Sequence, residues 1–122
     1  IFLIILGTAF VLFYFFKKIN DKYRLSPQNF KEMRENEPGL IIDVRTEKEH
    51  RDGHLKLTDR NINIMNPGFE QKIEKLDKNK AYYLYCRTGS RSARATRIMR
   101  KKGFEQAYNI GGFGELQRAG FE

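Results

Sequence analysis

Hydrophobic and polar positions are unevenly spread along this chain, and the spread predicts its elements. The first sixteen residues, "IFLIILGTAFVLFYFF", carry no charge, and Lys17 and Lys18 follow at once. Residues 17–22 are polar and basic and read as a linker. In "RLSPQNFKEM", Ser26 suits a helix N-cap and Pro27 the first helical position, while Leu25 and Phe30 have hydrophobic-staple spacing. Pro38-Gly39 is expected to stop that helix. "LIIDVR" at 40–45 is a short aliphatic run bounded by turn signals, which predicts a buried strand. "NINI" at 61–64 is a weaker strand. "NPGFEQKIEKL" sets Phe69, Ile73 and Leu76 on one helical face. "AYYLYC" at 81–86 reads as a strand. Residues 90–102 favour helix until Gly103, "QAYNI" is a last strand, Gly111-Gly112 a turn, and 113–119 a short helix.

Strands and helices therefore alternate, which predicts an α/β fold with a central, mostly parallel sheet flanked by helices. With 122 residues there is room for one such domain. The uncharged segment is of another kind. Sixteen helical residues span about 24 Å against a hydrocarbon core of about 30 Å. Ile19 could lengthen the segment while the lysines snorkel. The chain begins with Ile rather than Met, so the span is expected to be trimmed at its N-terminus. We read 1–16 as one transmembrane helix. A signal-peptide core is the rival, but no small-x-small cleavage site follows Phe16. A buried helix is the other rival, yet a helix apolar all round has little to pack against in so small a domain. Lys17, Lys18, Lys22 and Arg24 after the span place the following domain on the cytoplasmic side.

Charge and cysteine content narrow the chemistry. Lys and Arg total 23 against 15 Asp and Glu, a net charge of +8, which favours anionic partners. The basic run Arg94, Arg97, Arg100, Lys101 and Lys102 reads as a solvated helix surface, with docking of an acidic acceptor or of anionic lipid as the alternative. No nucleic-acid module is recognisable, so nucleic acid is not an expected partner. A single cysteine excludes an internal disulfide. With only His50 and His54 as histidines, no zinc cluster or other metal site is expected. His54 reads as structural, His50 as a surface residue, and Tyr82, Tyr83 and Tyr85 as packing residues.

That cysteine, Cys86, closes the strand "AYYLYC", and ligands collect at the carboxyl ends of strands in parallel sheets. Residues 87–92, "RTGSRS", lead straight into a helix N-terminus whose first amides have no partners within the helix. Gly89 allows a tight turn, and Thr88, Ser90 and Ser92 leave the amides accessible. Arg87 and Arg91 add positive charge. Such a cradle lowers a thiol's pKa and holds anions. The reading is a nucleophilic Cys86 that handles anionic substrates. The plain alternative for a lone cysteine is a small buried hydrophobe.

"CRTGSRS" at 86–92 resembles the active-site loop of the rhodanese-like sulfurtransferases. "LIIDVRTEKEHRDGHL" at 40–55 resembles their D-V-R segment followed by an acidic helix and Gly-His-Leu. "NIGGFGELQRAGFE" at 109–122 resembles their closing segment. The likeness covers residues 23–122 and implies a compact domain with a parallel sheet. It implies that Cys86 thiolate takes sulfane sulfur from thiosulfate or a related small anionic donor. A persulfide on Cys86 would then pass the sulfur to cyanide, a thiol or a protein acceptor, with no cofactor. By the same likeness Arg87 and Arg91 hold the donor, Asp43 and Arg45 support the loop, and Glu49 partners Arg45. Cysteine phosphatases place an arginine six residues after the cysteine; here Ser92 stands there and Arg91 falls one short, which argues against phosphatase chemistry. Two departures are visible: Leu116 stands where the family has tryptophan, and "KLTDRNINI" lacks the family's Gly-Ala. A non-catalytic docking or redox-sensing module at the membrane is the alternative function.

Overall fold

The computed structural model describes residues 22–122. The expected transmembrane span over 1–16 and all of the basic linker but Lys22 lie outside the described residues. Among the described residues, no helix is long and apolar enough to cross a membrane.

The first helix, α1 (Pro27–Asn36), begins as its sequence dictates: the Ser26 hydroxyl accepts from the Asn29 N–H at 3.1 Å and Pro27 occupies the first turn. It ends one residue before Glu37, because a residue preceding proline avoids helical ψ. Strand β1 (Gly39–Asp43) is followed by α2 (Glu47–Asp52), a capping box in which Thr46 and Glu49 satisfy each other's backbone amides. Then come β2 (Arg60–Asn61), α3 (Phe69–Glu74), β3 (Ala81–Cys86), α4 (Ser90–Lys101), β4 (Ala107–Gly112) and α5 (Phe113–Arg118).

All four strands are parallel, in the order β2-β1-β3-β4. Chain direction diverges between β1 and β3, the switch point at which such sheets open a crevice beyond their carboxyl ends. Asp43 ends β1 there and Cys86 ends β3. Side chains of β3 alternate strictly. Tyr82, Leu84 and Cys86 join a core with Phe69, Ile73, Ala95 and Met99, under α3 and α4. Ala81, Tyr83 and Tyr85 join a second core with Phe30, Ile110 and Leu116, under α1 and α5. The period of two thus decides that Cys86 faces α4. The three tyrosines pack as expected, and each hydroxyl has a partner: Asp77 O, Glu37 O and Thr58 Oγ1. Burial pushes the Tyr83 hydroxyl up to about 12.

Several boundaries differ from the expectation. Strand β1 stops at Asp43 rather than Arg45, because the Arg45 N–H turns back to the Asp43 carboxylate at 3.0 Å. The expected strand at 61–64 is shorter, with Arg60 and Asn61 alone in register, although Ile62 and Ile64 still donate to Asp43 O and Val44 O. Gly111 and Gly112 are not a turn but the end of β4, where a register shift opposes Tyr85 to Gly111 rather than Ile110. Leu116 is fully buried against Phe30, Tyr83 and Tyr85, so the position that usually holds tryptophan remains a core position. One pairing was not anticipated. Arg24 bridges Asn109, with the Leu25 N–H donating to Asn109 O and the Asn109 N–H to Tyr23 O, so the segment before α1 lines the outer edge of β4.

Candidate active site

The site is the loop from Cys86 to Ser92, where β3 hands over to α4. Cys86 is entirely buried. Gly89 has φ +103°, a left-handed conformation that a residue with Cβ adopts only at a cost. This turn aims the Gly89 N–H at Cys86 Sγ, 3.0 Å away. Ser92, also buried, puts its Oγ 3.3 Å from the same sulfur. Burial alone would raise the thiol pKa. The Ser92 hydroxyl and the backbone N–H groups of Ser92, Gly89 and Thr88 outweigh it, and hold the thiol below its ordinary value. That is the amide cradle expected from "RTGSRS".

The two arginines of the loop behave differently. Arg87 is exposed and makes no ion pair among the described residues. Arg91 is half-buried and binds Glu49 of α2 through two parallel bonds of 2.7 and 2.8 Å. The expectation that Glu49 partners Arg45 is thereby corrected. Arg45 instead binds Asp43 through Nε and Nη2, at 2.9 and 2.8 Å, and donates to Gly53 O. Asp43 is buried and its carboxylate is fully occupied, because His50 Nδ1 also lies 3.0 Å from Oδ2. His50 is therefore no mere surface residue. Its ring stacks on that of His54, with centroids 3.8 Å apart, and His54 Nδ1 donates to His50 O. Arg45 also lies over the rings of Phe113 and Tyr85. Asn61, in the segment that departs from the family pattern, donates to Asp43 O and Arg45 O at 3.0 Å each.

Of the predicted site residues, Cys86, Thr88, Gly89, Ser90, Arg91 and Ser92 sit together on one turn, with Arg87 on its outer side. Asp43 and Arg45 stand at the adjacent strand end. Sequence reasoning missed Asn109, which is buried and holds the loop from behind: its Nδ2 donates to Gly89 O at 3.1 Å, and its Oδ1 lies 2.7 Å from Ser92 Oγ. It also missed Gly112. A Cβ there would lie 2.6 Å from Arg87 O and 3.1 Å from Thr88 Cα, so the end of β4 touches the loop backbone directly. The available signal was the closing segment itself, where an asparagine precedes two glycines. The basic run 94–102 divides: Arg94, Arg97 and Lys101 are exposed, as expected, whereas Arg100 lies between the rings of Tyr23 and Tyr108 and Lys102 pairs with Glu70 and Glu74.

A parallel sheet that ends in a buried cysteine, with amide and hydroxyl donors from the following helix N-terminus around its sulfur, defines the class of α/β domain. Comparison with known proteins gives the family. The Rhodanese-like domain family matches residues 26–119, and the chain belongs to that family. A tRNA uridine(34) hydroxylase of Cytophaga hutchinsonii is 33% identical over 91 residues, covering 72% of this chain and 29% of that protein. A putative sulfurtransferase of Bacillus subtilis, YtwF, is 32% identical over 72 residues, 59% of this chain and 67% of that protein. Among solved structures, a rhodanese-like domain protein of Staphylococcus aureus superposes with a TM-score of 0.66 at 27% identity, covering 81% of this chain and 95% of that one. The chain thus spans under a third of the hydroxylase, about two thirds of YtwF and nearly all of the Staphylococcus aureus chain.

Proposed function

We propose that this protein is a sulfurtransferase that carries sulfane sulfur on Cys86. The observation that carries the reading is the Cys86 sulfur, buried yet held below its ordinary pKa by amide and hydroxyl donors. Similarity to a putative sulfurtransferase supports it. In the proposed cycle Cys86 thiolate attacks the outer sulfur of thiosulfate or a related small anionic donor. A new S–S bond forms, the donor's own S–S bond breaks, and sulfite leaves with its electron pair. A thiol, protein thiol or cyanide then attacks the outer sulfur, and Cys86 returns as thiolate. Burial of Sγ suits a donor that presents a single protruding sulfur.

In this reading Arg87, exposed and unpaired among the described residues, attracts the donor. Thr88, Gly89, Ser90 and Ser92 supply the cradle. Arg91, gripped by Glu49, contributes its field from a fixed position, and Asp43 with Arg45 braces the neighbouring strand end. The hydroxylase reaction is not carried over, since the match spans only 29% of that protein. Attachment to a membrane through 1–16, with the domain at 23–122 on the cytoplasmic side, rests on the uncharged run and the lysines after it.

The test is thiocyanate formation from thiosulfate and cyanide by the full chain. Turnover by the native chain, lost in Cys86→Ser, is the expected result; turnover retained in Cys86→Ser overturns the proposal.

A further inference from the structure

The loop contains a shortage of protons. Ser92 Oγ lies 3.3 Å from Cys86 Sγ and 2.7 Å from Asn109 Oδ1, and a hydroxyl has one hydrogen to give. The orientation of the Asn109 amide is fixed independently of Ser92. The Gly89 carbonyl demands a donor, which Nδ2 supplies at 3.1 Å, and the Gly111 N–H demands an acceptor, which is Oδ1 at 3.0 Å. Asn109 therefore presents only an acceptor to Ser92. All three side chains are buried, so water offers no easy substitute.

Two arrangements satisfy this chain of atoms. With Cys86 as thiol, S–H donates to Ser92 Oγ and the hydroxyl donates to Asn109 Oδ1. With Cys86 as thiolate, the hydroxyl turns to the charged sulfur, because charge-assisted bonds are the stronger ones, and Asn109 Oδ1 keeps only the Gly111 N–H. We propose that Asn109 is a positioning residue that competes with the Cys86 sulfur for the Ser92 proton and so sets how strongly the thiolate is held. The competition is useful on a transferring sulfur. When an outer sulfur is bonded to Sγ, the negative charge sits one atom further out, and the hydroxyl returns to Asn109. A thiolate held less tightly is the better nucleophile for the next round. This last step rests on the sulfurtransferase reading; the competition itself does not.

The charged groups near this network act on it only from outside its hydrogen bonds. Arg91 of α4 is held by Glu49, while Arg24 and Glu115 pair with each other beside Gly89 and Gly111. None contributes an atom to the Ser92–Asn109 bond.

The experiment is the pH dependence of iodoacetamide alkylation of the full chain, read by intact mass, which reports the one cysteine. Four chains are compared: native, Ser92→Ala, Asn109→Ala and the double variant. Asn109→Ala is expected to increase the acid ionisation constant of Cys86 about threefold when Ser92 is present, and not when it is absent. Equal shifts in both backgrounds would show that Asn109 acts only through the loop backbone, and would overturn the proposal. If Asn109→Ala does not reproduce the circular dichroism of the native chain, Ser92→Ala decides alone. A fall of about threefold in the ionisation constant supports a proton shared with sulfur. An unchanged constant means that the proton belongs wholly to Asn109, and the proposal fails. These readouts need no sulfur donor, so their failure is distinct from failure of the sulfurtransferase reading.

Discussion

Arg91, near the end of the cysteine loop, grips Glu49 with both of its terminal nitrogens, at 2.7 and 2.8 Å, across 42 residues of sequence. The pair ties α2 to α4. It holds the Glu49 carboxyl down to about 2, first through the Arg91 hydrogen bonds, against an opposing contribution from burial. A carboxylate with a depressed folded-state pKa stabilises the fold above its ordinary value. That contribution is lost as pH falls from about 4.5 towards 2. Both side chains are partly solvated, so the contribution is about 1–2 kcal/mol rather than the full shift. Glu49→Gln should therefore lower stability at neutral pH by about that amount, and flatten the acid limb of the stability curve over this window. Urea titrations at a series of pH values measure both.

Asp43 should be the costlier position. It lies buried with Arg45 on two bonds and His50 on a third. Removing the carboxylate strands a guanidinium that is only 5% exposed, with Gly53 O as its remaining hydrogen-bond acceptor. Asp43→Ala should cost about 3–5 kcal/mol, read as a lowered denaturation midpoint with unchanged slope. A loss below about 1 kcal/mol would show that Arg45 finds water instead.

Gly112 tests the contact between β4 and the loop. Its φ of −100° suits any residue, so only space forbids a side chain. A Cβ would press on Arg87 O and Thr88 Cα. Gly112→Ala should displace the loop, cost about 1–3 kcal/mol, and slow alkylation of Cys86 at fixed pH. Unchanged alkylation would show that the loop yields without losing its cradle.

Arg87 should affect binding rather than the thiol. Its guanidinium is solvated and is not among the groups that lower the Cys86 pKa. Arg87→Ala should raise KM for thiosulfate about tenfold and leave the alkylation midpoint in place. Added salt should weaken the native enzyme in the same direction, because exposed charges are screened.

What the sequence made legible, and what it hid, divides by distance along the chain. The cysteine loop was readable because its parts are consecutive: a strand that ends in Cys86, a glycine that turns, and a helix whose first amides are free. The Ser26 cap was readable for the same reason. Glu49 was assigned to Arg45, four residues before it, whereas its partner Arg91 is adjacent only after β3 has paired with β1 and α4 has packed behind it. Asn109 and Gly112 looked like the ends of a strand and a turn. Their roles depend on a bulge in β4 that no local pattern announces. His50 looked exposed because the Asp43 carboxylate that receives it is buried beneath it.

The measurement that bears most directly on the central claim is the intact mass of the full chain after thiosulfate, and again after cyanide. A gain of one sulfur atom is expected, confined to chains that retain Cys86, with complete removal by cyanide. A Cys86 that alkylates readily at neutral pH yet gains no sulfur from thiosulfate, from an organic persulfide or from any other small sulfane donor would contradict it.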